Sequence, residues 1–195
     1  PVKDEEGKNI RKAFLPSNDL FLSLDYSQIE LRILADIANS QTMIETFNNG
    51  EDIHAKVASD IHNKDIKDVT KEERSAAKSV IFGIVYGISG FGLGENLHIS
   101  KNDADKFIKK YYELYPEVKT YMDNQINFAK ENGFIETKYG RKRYISEIND
   151  ANFMVRKSGE RMAINTPIQG SAADIIKMAM IKIDEIFTKE NIQSK

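Results

Sequence analysis

The chain has 195 residues, enough for one domain of ordinary size or two small lobes, and 41% of them are hydrophobic, which is sufficient for a sizeable core. It contains no cysteine, which excludes a disulfide framework and cysteine-ligated zinc and suits a reducing cytoplasm. The net charge of −2 argues mildly against a nucleic-acid partner, because such proteins usually present a basic surface, although a whole-chain average can conceal a local one.

The N-terminal part predicts a strand followed by a helix. Residues 1–11 are charged and lack the apolar stretch of a signal peptide. Residues 20–26 alternate between apolar and mixed positions, which predicts a strand. Ser27 is expected to cap the next helix in a capping box with Glu30. That helix is expected to bury apolar residues at helical spacing: Ile29, Ile33, Leu34 and Ile37.

The middle of the chain is predicted to be helical. Short helices are expected at residues 42–47 and 53–61, and a longer one, capped by Thr70 with Glu73, runs to about Tyr86. The glycine-rich stretch 87–94 is interpreted as a flexible loop that ends this helix. The charge-free run around it, 79–94, is shorter than the ~20 residues of a membrane span. Two further helices are expected at residues 101–114 and 117–132.

The C-terminal part predicts a hairpin and two helices. The hairpin comprises residues 134–139 and 143–148, and the helices comprise residues 152–165 and 170–187, with a break at Pro167. The predicted fold class is therefore α+β, dominated by helices and containing a small sheet.

A carboxylate stands at the end of the predicted strand. Asp25 precedes a helix there, a common position for holding a hard cation. Phosphoryl transfer needs such a group, because Mg²⁺ neutralises charge that builds on the phosphate oxygens. The alternative, that Asp25 only caps the turn, is equally compatible with its position.

Two cations and two aromatic residues recur at four-residue spacing in the long central helix, at Arg74, Lys78, Phe82 and Tyr86. Each step of four turns about 400°, so these residues form one stripe on a single face. The stripe suits a nucleotide, since cations meet phosphates and a ring packs on a sugar or base. The alternative is an ordinary amphipathic helix with buried rings and solvated cations.

Further polar groups are weaker candidates. His54 stands near a predicted helix start, where an anion is favoured, although a lone histidine is more often a surface residue. The basic cluster at residues 141–143 suits a DNA backbone or merely a solvated turn. Three polar side chains recur at four-residue spacing: Arg161, Asn165 and Gln169. Asn and Gln can donate and accept hydrogen bonds, as reading a minor groove requires. The alternative is that the three residues form the polar edge of a helix.

Taken together, these segments resemble family A (DNA polymerase I-like) DNA polymerases. The segment that resembles motif A is DYSQIELR (25–32), and the one that resembles motif B, the fingers helix, is RSAAKSVIFGIVYG (74–87). The segment similar to the palm helix at the primer–template minor groove is RMAINTPIQGSAADIIK (161–177). Other matching segments are EDIHAKVA (51–58) and TKYGRKRY (137–144). The resemblance covers nearly the whole chain in the right order.

The resemblance implies roles for individual residues. It implies catalytic roles for Asp25 and Lys78, and binding of two Mg²⁺ ions by Asp25 together with the backbone carbonyl of Tyr26. The residues implied to bind the nucleotide are Gln28, Glu30, His54, Arg74, Lys78, Phe82 and Tyr86. Those implied to contact DNA are Arg161, Asn165 and Gln169. Ile81 and Ser75 depart from the residues that are common in the family, but neither lies at a metal or phosphate position.

The resemblance also implies a domain plan and a reaction. Residues 1–50 are expected to form part of the palm, 51–132 the fingers, and 133–195 the hairpin and the return to the palm. Motif C, which carries the second metal-binding carboxylate, and the thumb are expected to be absent from this chain. The implied activity is template-directed deoxynucleotidyl transfer to a primer 3′-OH by the parent protein, with the isolated chain inactive.

The implied partners and location follow from the same resemblance. The expected partners are primer–template DNA and deoxynucleoside triphosphates, with no membrane contact and a monomeric parent. The expected location is the cytoplasm, at the nucleoid if the source is bacterial. Two rival functions remain open: a single-subunit RNA polymerase, and a nucleotide- or DNA-binding module without chemistry.

Overall fold

The computed structural model describes residues 9, 10, 12–16 and 20–192, and within them helices dominate around a two-stranded sheet, which confirms the predicted fold class. The α-helices, in chain order, are α1 (Ile29–Ile37), α2 (Gln41–Asn48), α3 (Ile53–His62), α4 (Lys71–Val85), α5 (Gly90–Leu97), α6 (Lys101–Leu114), α7 (Pro116–Asn132) and α8 (Phe153–Lys189). The strands are β1 (Phe134–Glu136) and β2 (Lys142–Tyr144), and short 3₁₀ turns occupy Ile66–Asp68 and Ser146–Asn149.

Local sequence signals set most of these boundaries. The Thr70 hydroxyl accepts from the Glu73 amide at 3.2 Å, and the Glu73 carboxylate accepts from the Thr70 amide at 2.8 Å, so the predicted capping box is confirmed. Pro116 opens α7, where its missing N–H costs nothing. Gly133 ends that helix at φ 74°, a left-handed conformation that glycine adopts without steric cost.

The predicted strand at residues 20–26 is wrong. The segment has no strand partner in the described part of the chain, and Leu20, Leu22 and Leu24 are exposed. A strand needs a neighbour to receive its backbone hydrogen bonds, so apolar alternation alone cannot produce one.

The predicted capping box at the start of α1 is also wrong. Gln28, not Ser27, is the N-cap, with φ 54° and ψ 39°, and no side chain caps the helix. Glu30 turns away from Ser27 and accepts a hydrogen bond from the Tyr86 hydroxyl. Ser27 contributes only its carbonyl oxygen, which accepts from Arg32 Nε at 3.0 Å.

The glycine-rich stretch is not the flexible loop that the sequence suggested. After Gly87, Ser89 caps the short helix α5, accepting from the Gly92 amide at 3.3 Å. Burial of Leu93 and close packing on α6 compensate for the low helix propensity of glycine. At Gly90 the packing is so close that a Cβ would lie 1.8 Å from an Asp105 carboxylate oxygen.

The predicted break at Pro167 does not occur, and α8 is one continuous helix of 37 residues. Proline removes one helical hydrogen bond, but the residue is buried in a supported position. Ser171 Oγ donates to the Pro167 carbonyl at 2.5 Å and accepts from the Lys138 amide at 2.9 Å. These contacts therefore keep the helix continuous through a residue that would end an isolated one.

Two clusters of buried side chains organise the molecule. The larger joins α1 to α7 and the middle of α8. The smaller lies between the hairpin, the end of α7 and α8, and contains Ala129, Ile135, Ile145, Ile148 and Ala163. The hairpin is antiparallel, with Ile135 opposite Arg143. Among the described helices, none combines the length and apolarity required to cross a membrane.

Candidate functional site

The face of α4 that carries the stripe is only partly covered. The buried residues of this helix lie on the opposite side and include Val80, Ile81 and Ile84. Phe82 is half-buried and Tyr86 is 41% exposed, while Arg74 and Lys78 are exposed. Tyr86 is not buried as the alternative of an ordinary amphipathic helix requires, whereas the exposed cations agree with both interpretations.

An aromatic row runs along this face. The ring centroids of His54 and Phe82 lie 5.9 Å apart, and those of Phe82 and Tyr86 lie 6.3 Å apart with planes 14° from parallel. Lys78 Nζ lies 5.9 Å from the Phe82 centroid. The row presents flat apolar surface beside a cation, as a sugar or base with attached phosphates requires.

His54 is buried rather than on the surface, with 3% exposure. Burial lowers its pKa, and the cations Arg74 and Lys78 lower it further against the opposing effect of Asp52. The Nδ1 atom is buried without a hydrogen-bond partner in the described part of the chain. A neutral imidazole can donate from one ring nitrogen and accept at the other.

Asp52 is a site residue that sequence reasoning missed. Its Oδ2 accepts from Arg74 Nε at 2.8 Å and lies 2.6 Å from Arg74 Nη2. Burial acts to raise its pKa, but the Arg74 hydrogen bond and charge and two backbone amides outweigh burial, so the pKa is lowered. The available signal was an aspartate directly before a helix, the usual N-cap position.

A second group of polar residues meets at the end of α4. The Tyr86 hydroxyl donates to Glu30 Oε2 at 3.1 Å, which links the stripe to α1. Partial burial raises the pKa of Tyr86, as do the charge and hydrogen bond of Glu30, while a hydrogen bond from Gln169 lowers it. At Gly87 (φ 66°), a Cβ would lie 2.7 Å from the Arg161 side chain. Residues from α1, α4 and α8 thus share one surface.

The three polar residues of α8 share a face because the helix is continuous. Arg161 and Gln169 are exposed, whereas Asn165 between them is half-buried. The Asn165 Oδ1 atom is buried and lacks a hydrogen-bond partner within the described part of the chain. Gln28 Oε1, at the start of α1, is likewise buried and without a hydrogen-bond partner in the described part of the chain. Unpaired amide oxygens of this kind are costly unless a ligand or water meets them.

Asp25 and Tyr26 lie in a different setting. They line a cavity of about 410 Å³ together with Leu24 and four residues of the C-terminal half of α8: Ile176, Ala179, Met180 and Ile183. The Asp25 carboxylate and a backbone carbonyl are oxygen donors of the type that Mg²⁺ prefers. In the described part of the chain, however, no group of three acidic or histidine side chains is arranged to hold a metal. These two residues fit Mg²⁺ only as part of a donor set.

The basic cluster of the hairpin is largely engaged with α8. Arg141 donates from Nε to Asp174 Oδ1 and from Nη2 to the Gly170 carbonyl, both at 3.0 Å. Arg143 Nη1 donates to Thr166 Oγ1 at 3.2 Å. These guanidinium groups therefore fix the hairpin to the helix that carries Gln169.

Comparison with known proteins gives consistent matches over the whole chain. The model of DNA polymerase family A matches residues 1–195. DNA polymerase I of Caldicellulosiruptor bescii is 52% identical over 100% of the chain and 23% of its own length. DNA polymerase I of Geobacillus stearothermophilus is 50% identical over 100% of the chain and 22% of its own length.

A solved structure is also similar. It is the polymerase domain of Pol1 from M. smegmatis in complex with DNA primer-template and dNTP, with a TM-score of 0.89 and 39% identity. The match covers 99% of this chain and 34% of that one. The present chain thus spans less than a quarter of the length of these curated relatives.

Proposed function

Because the chain belongs to DNA polymerase family A, we propose that the protein containing it is a DNA-directed DNA polymerase, which transfers deoxynucleotides to a primer 3′-OH. The observation that carries the proposal is the shared surface of α1, α4 and α8, where Glu30, Tyr86 and Gln169 meet beside the half-exposed stripe. The solved relative described above holds both primer-template DNA and dNTP, which supports these two partners.

The nucleotide is proposed to lie along α4. Arg74 and Lys78 would hold the triphosphate by charge-assisted hydrogen bonds, with neutral His54 as a further donor. Phe82 and Tyr86 would offer flat surface to the sugar and the nascent base pair, with Gln28 and Glu30 beside the sugar. Positioning of this kind and neutralisation of developing charge are the main requirements of phosphoryl transfer.

The primer–template is proposed to cross α8. Arg161, Asn165 and Gln169 project from one continuous face, and amide groups can both donate to and accept from the minor-groove edges of bases. The unpaired Asn165 oxygen would gain a partner there. We propose that residues 1–50 form part of the palm, residues 51–132 the fingers, and residues 133–195 the hairpin and the return to the palm.

Metal dependence is general in family A, and we infer that the metal is Mg²⁺, with two ions in the complete enzyme. Asp25 and the carbonyl of Tyr26 would supply oxygen ligands. The ions supply Lewis-acid stabilisation of the phosphate oxygens and activate the primer hydroxyl when bound. The remaining donors are proposed to come from motif C. The curated relatives are bacterial, and we infer a monomeric protein that acts at the nucleoid.

Primer extension by the full-length protein tests the proposal. Asp25→Ala should abolish extension with Mg²⁺ and leave the Kd for primer–template DNA nearly unchanged. Arg74→Ala and Lys78→Ala should raise the KM for dNTP or lower kcat by about tenfold or more, because each removes a charge-assisted phosphate contact.

Lys109→Ala is a suitable control, since this lysine is exposed on α6 outside the stripe. Absence of extension by the wild-type protein would refute the enzymatic proposal and favour a binding module. Weaker DNA binding with normal nucleotide kinetics in the Arg74 and Lys78 variants would place the stripe against the duplex instead.

A further inference from the structure

We propose that Asp52 is a positioning residue for nucleotide binding, which presents Arg74 and His54 together to the triphosphate; this inference rests on the proposed polymerase function. The two oxygens of its carboxylate serve different elements. Oδ1 holds the start of α3, which carries His54, and Oδ2 holds the guanidinium group of Arg74 on α4. One side chain therefore sets the relative placement of two candidate phosphate ligands that are distant in sequence.

The first contact fixes the backbone of His54. Oδ1 accepts from the His54 amide at 2.9 Å and from the Ala55 amide at 3.1 Å, which satisfies two of the free N–H groups at the helix start. Because the His54 ring is buried and lies next to Phe82, its position depends on this first turn. The carboxylate thereby sets how the imidazole meets the aromatic row.

The second contact fixes the direction of Arg74. Nε donates to Oδ2 at 2.8 Å, and Nη2 lies 2.6 Å from the same oxygen. A guanidinium group has five N–H donors, so donors remain that are proposed to meet a phosphate. Long cationic side chains lose considerable rotamer freedom on binding, and an arginine that is already oriented loses less. Preorientation of this kind should strengthen nucleotide binding.

Asp52 also has an opposing electrostatic effect. Its negative charge lies beside cations that are proposed to bind a polyanion, so simple Coulomb repulsion predicts tighter binding when the charge is removed. The pair is partly exposed, with 44% of the Arg74 side chain and 38% of the Asp52 side chain accessible, so solvent weakens this repulsion. Orientation is therefore expected to outweigh repulsion. Loss of orientation would raise the KM for dNTP in an Asp52 variant, whereas loss of repulsion would lower it.

Asp52→Asn separates the two contacts. Asparagine caps helices as well as aspartate does, so Oδ1 can continue to accept from the His54 and Ala55 amides. The other position becomes an NH₂ group, which cannot accept from Arg74. We expect the KM for dNTP in single-nucleotide insertion by the full-length protein to rise by about tenfold, with the Kd for primer–template DNA unchanged. Asp52→Ala, which also loses the cap, should raise KM at least as much.

A double-mutant cycle tests whether Asp52 acts through Arg74. If it does, Asp52→Asn should have little further effect on KM when Arg74 is already alanine. A purely structural role would instead give similar losses in both backgrounds and would lower the melting temperature. The melting temperature of Asp52→Asn should therefore remain within a few degrees of the wild-type value.

Asp65→Asn is the matched control. Asp65 likewise caps a helical turn, accepting from the Lys67 amide at 3.1 Å, and it pairs with the Lys67 ammonium at 3.4 Å. Within the described residues, its hydrogen bonds and ion pairs do not involve the stripe. The KM for dNTP of Asp65→Asn should equal that of the wild type. A lower KM in Asp52→Asn would overturn the proposal and make Asp52 a competitor of the triphosphate, and an unchanged KM would refute it as well. Failure of the wild-type protein to extend primers would refute the proposed function itself, independently of these comparisons.

Discussion

At the scale of single residues, the contact between Glu30 and Tyr86 links two helices at the proposed sugar site. The hydroxyl and carboxylate oxygen lie 3.1 Å apart and bridge α1 and α4. This position for Glu30 differs from the capping role suggested by its spacing from Ser27. The same carboxylate is the residue that best separates the DNA polymerase proposal from its RNA polymerase rival.

We predict that Glu30→Ala in the full-length protein increases ribonucleotide incorporation relative to deoxyribonucleotide incorporation by at least tenfold. A 2′-OH that enters the occupied space must displace the carboxylate or remain unpaired, and an unpaired buried polar group costs about 1–3 kcal/mol. Single-nucleotide insertion with matched rNTP and dNTP measures the ratio. Glu45→Ala, at an exposed position on α2, is the control. An unchanged ratio would refute the assignment of Glu30 to the sugar site.

At the scale of elements, the capping box of α4 is an interaction that sequence alone identified. Thr70→Ala should lower the free energy of unfolding by about 1 kcal/mol, because the Glu73 amide loses the hydroxyl that accepts its hydrogen bond. Ser75→Ala removes a hydroxyl from an exposed position of the same helix and should have a much smaller effect. Urea denaturation of the chain followed by circular dichroism provides the comparison. Equal effects of the two substitutions would show that the box contributes little.

The glutamate of the same box makes the stability of α4 depend on pH. Hydrogen bonds from Lys64 and from the Thr70 amide lower the pKa of Glu73 to about 2, from an ordinary value of 4.5. Because the pKa of Glu73 is lower in the folded state, the ionised carboxylate stabilises the fold. This stabilisation is fully present above pH 4.5 and is lost as the pH falls from 4.5 towards 2. Glu73→Gln should flatten the dependence of melting temperature on pH in this window. A pH profile identical to that of the wild type would contradict the assignment.

The long helix α8 contains a position where the usual effect of glycine should reverse. Replacing glycine by alanine normally stabilises a helix by about 1 kcal/mol. At Gly159, however, a Cβ would lie 2.8 Å from backbone atoms of Ile148, which cannot move aside as a side chain can. Gly159→Ala should therefore destabilise the chain by about 1–3 kcal/mol. Thermal unfolding beside the neighbouring control Ser158→Ala measures the difference, and a stabilised Gly159 variant would contradict the close packing.

At the scale of the whole molecule, a large apolar surface is exposed along the segment 20–24 and the C-terminal half of α8. Leu20 and Leu22 are 85% and 77% exposed, and Met180 and Ile181 are 63% and 59% exposed. Exposed apolar patches of this kind normally contact other protein surface. The 195-residue chain by itself should therefore bind a hydrophobic dye and self-associate with rising concentration in sedimentation experiments.

A charged double substitution tests this expectation. Met180→Glu with Ile181→Lys should reduce both dye binding and association. Met154→Lys changes an exposed apolar residue about 40 Å away along the same helix and should have little effect. A monodisperse wild-type chain that binds no dye would show that the surface is covered in solution.

By itself, the sequence determined the helical content, the capping box at Thr70, the hairpin and the family, because caps, periodic apolar positions and motif segments are local patterns. It was wrong where a distant partner decides the outcome. Residues 20–26 alternate like a strand but have no strand partner within the described chain. Helix α8 continues across Pro167, where the sequence predicts a break, because this residue is buried against other elements. The site shows the same division: the spacing of Arg74, Lys78, Phe82 and Tyr86 was visible in the sequence. Only the tertiary structure placed Asp52 against Arg74 and Glu30 against Tyr86, because each pair joins helices that approach one another through packing of the shared core.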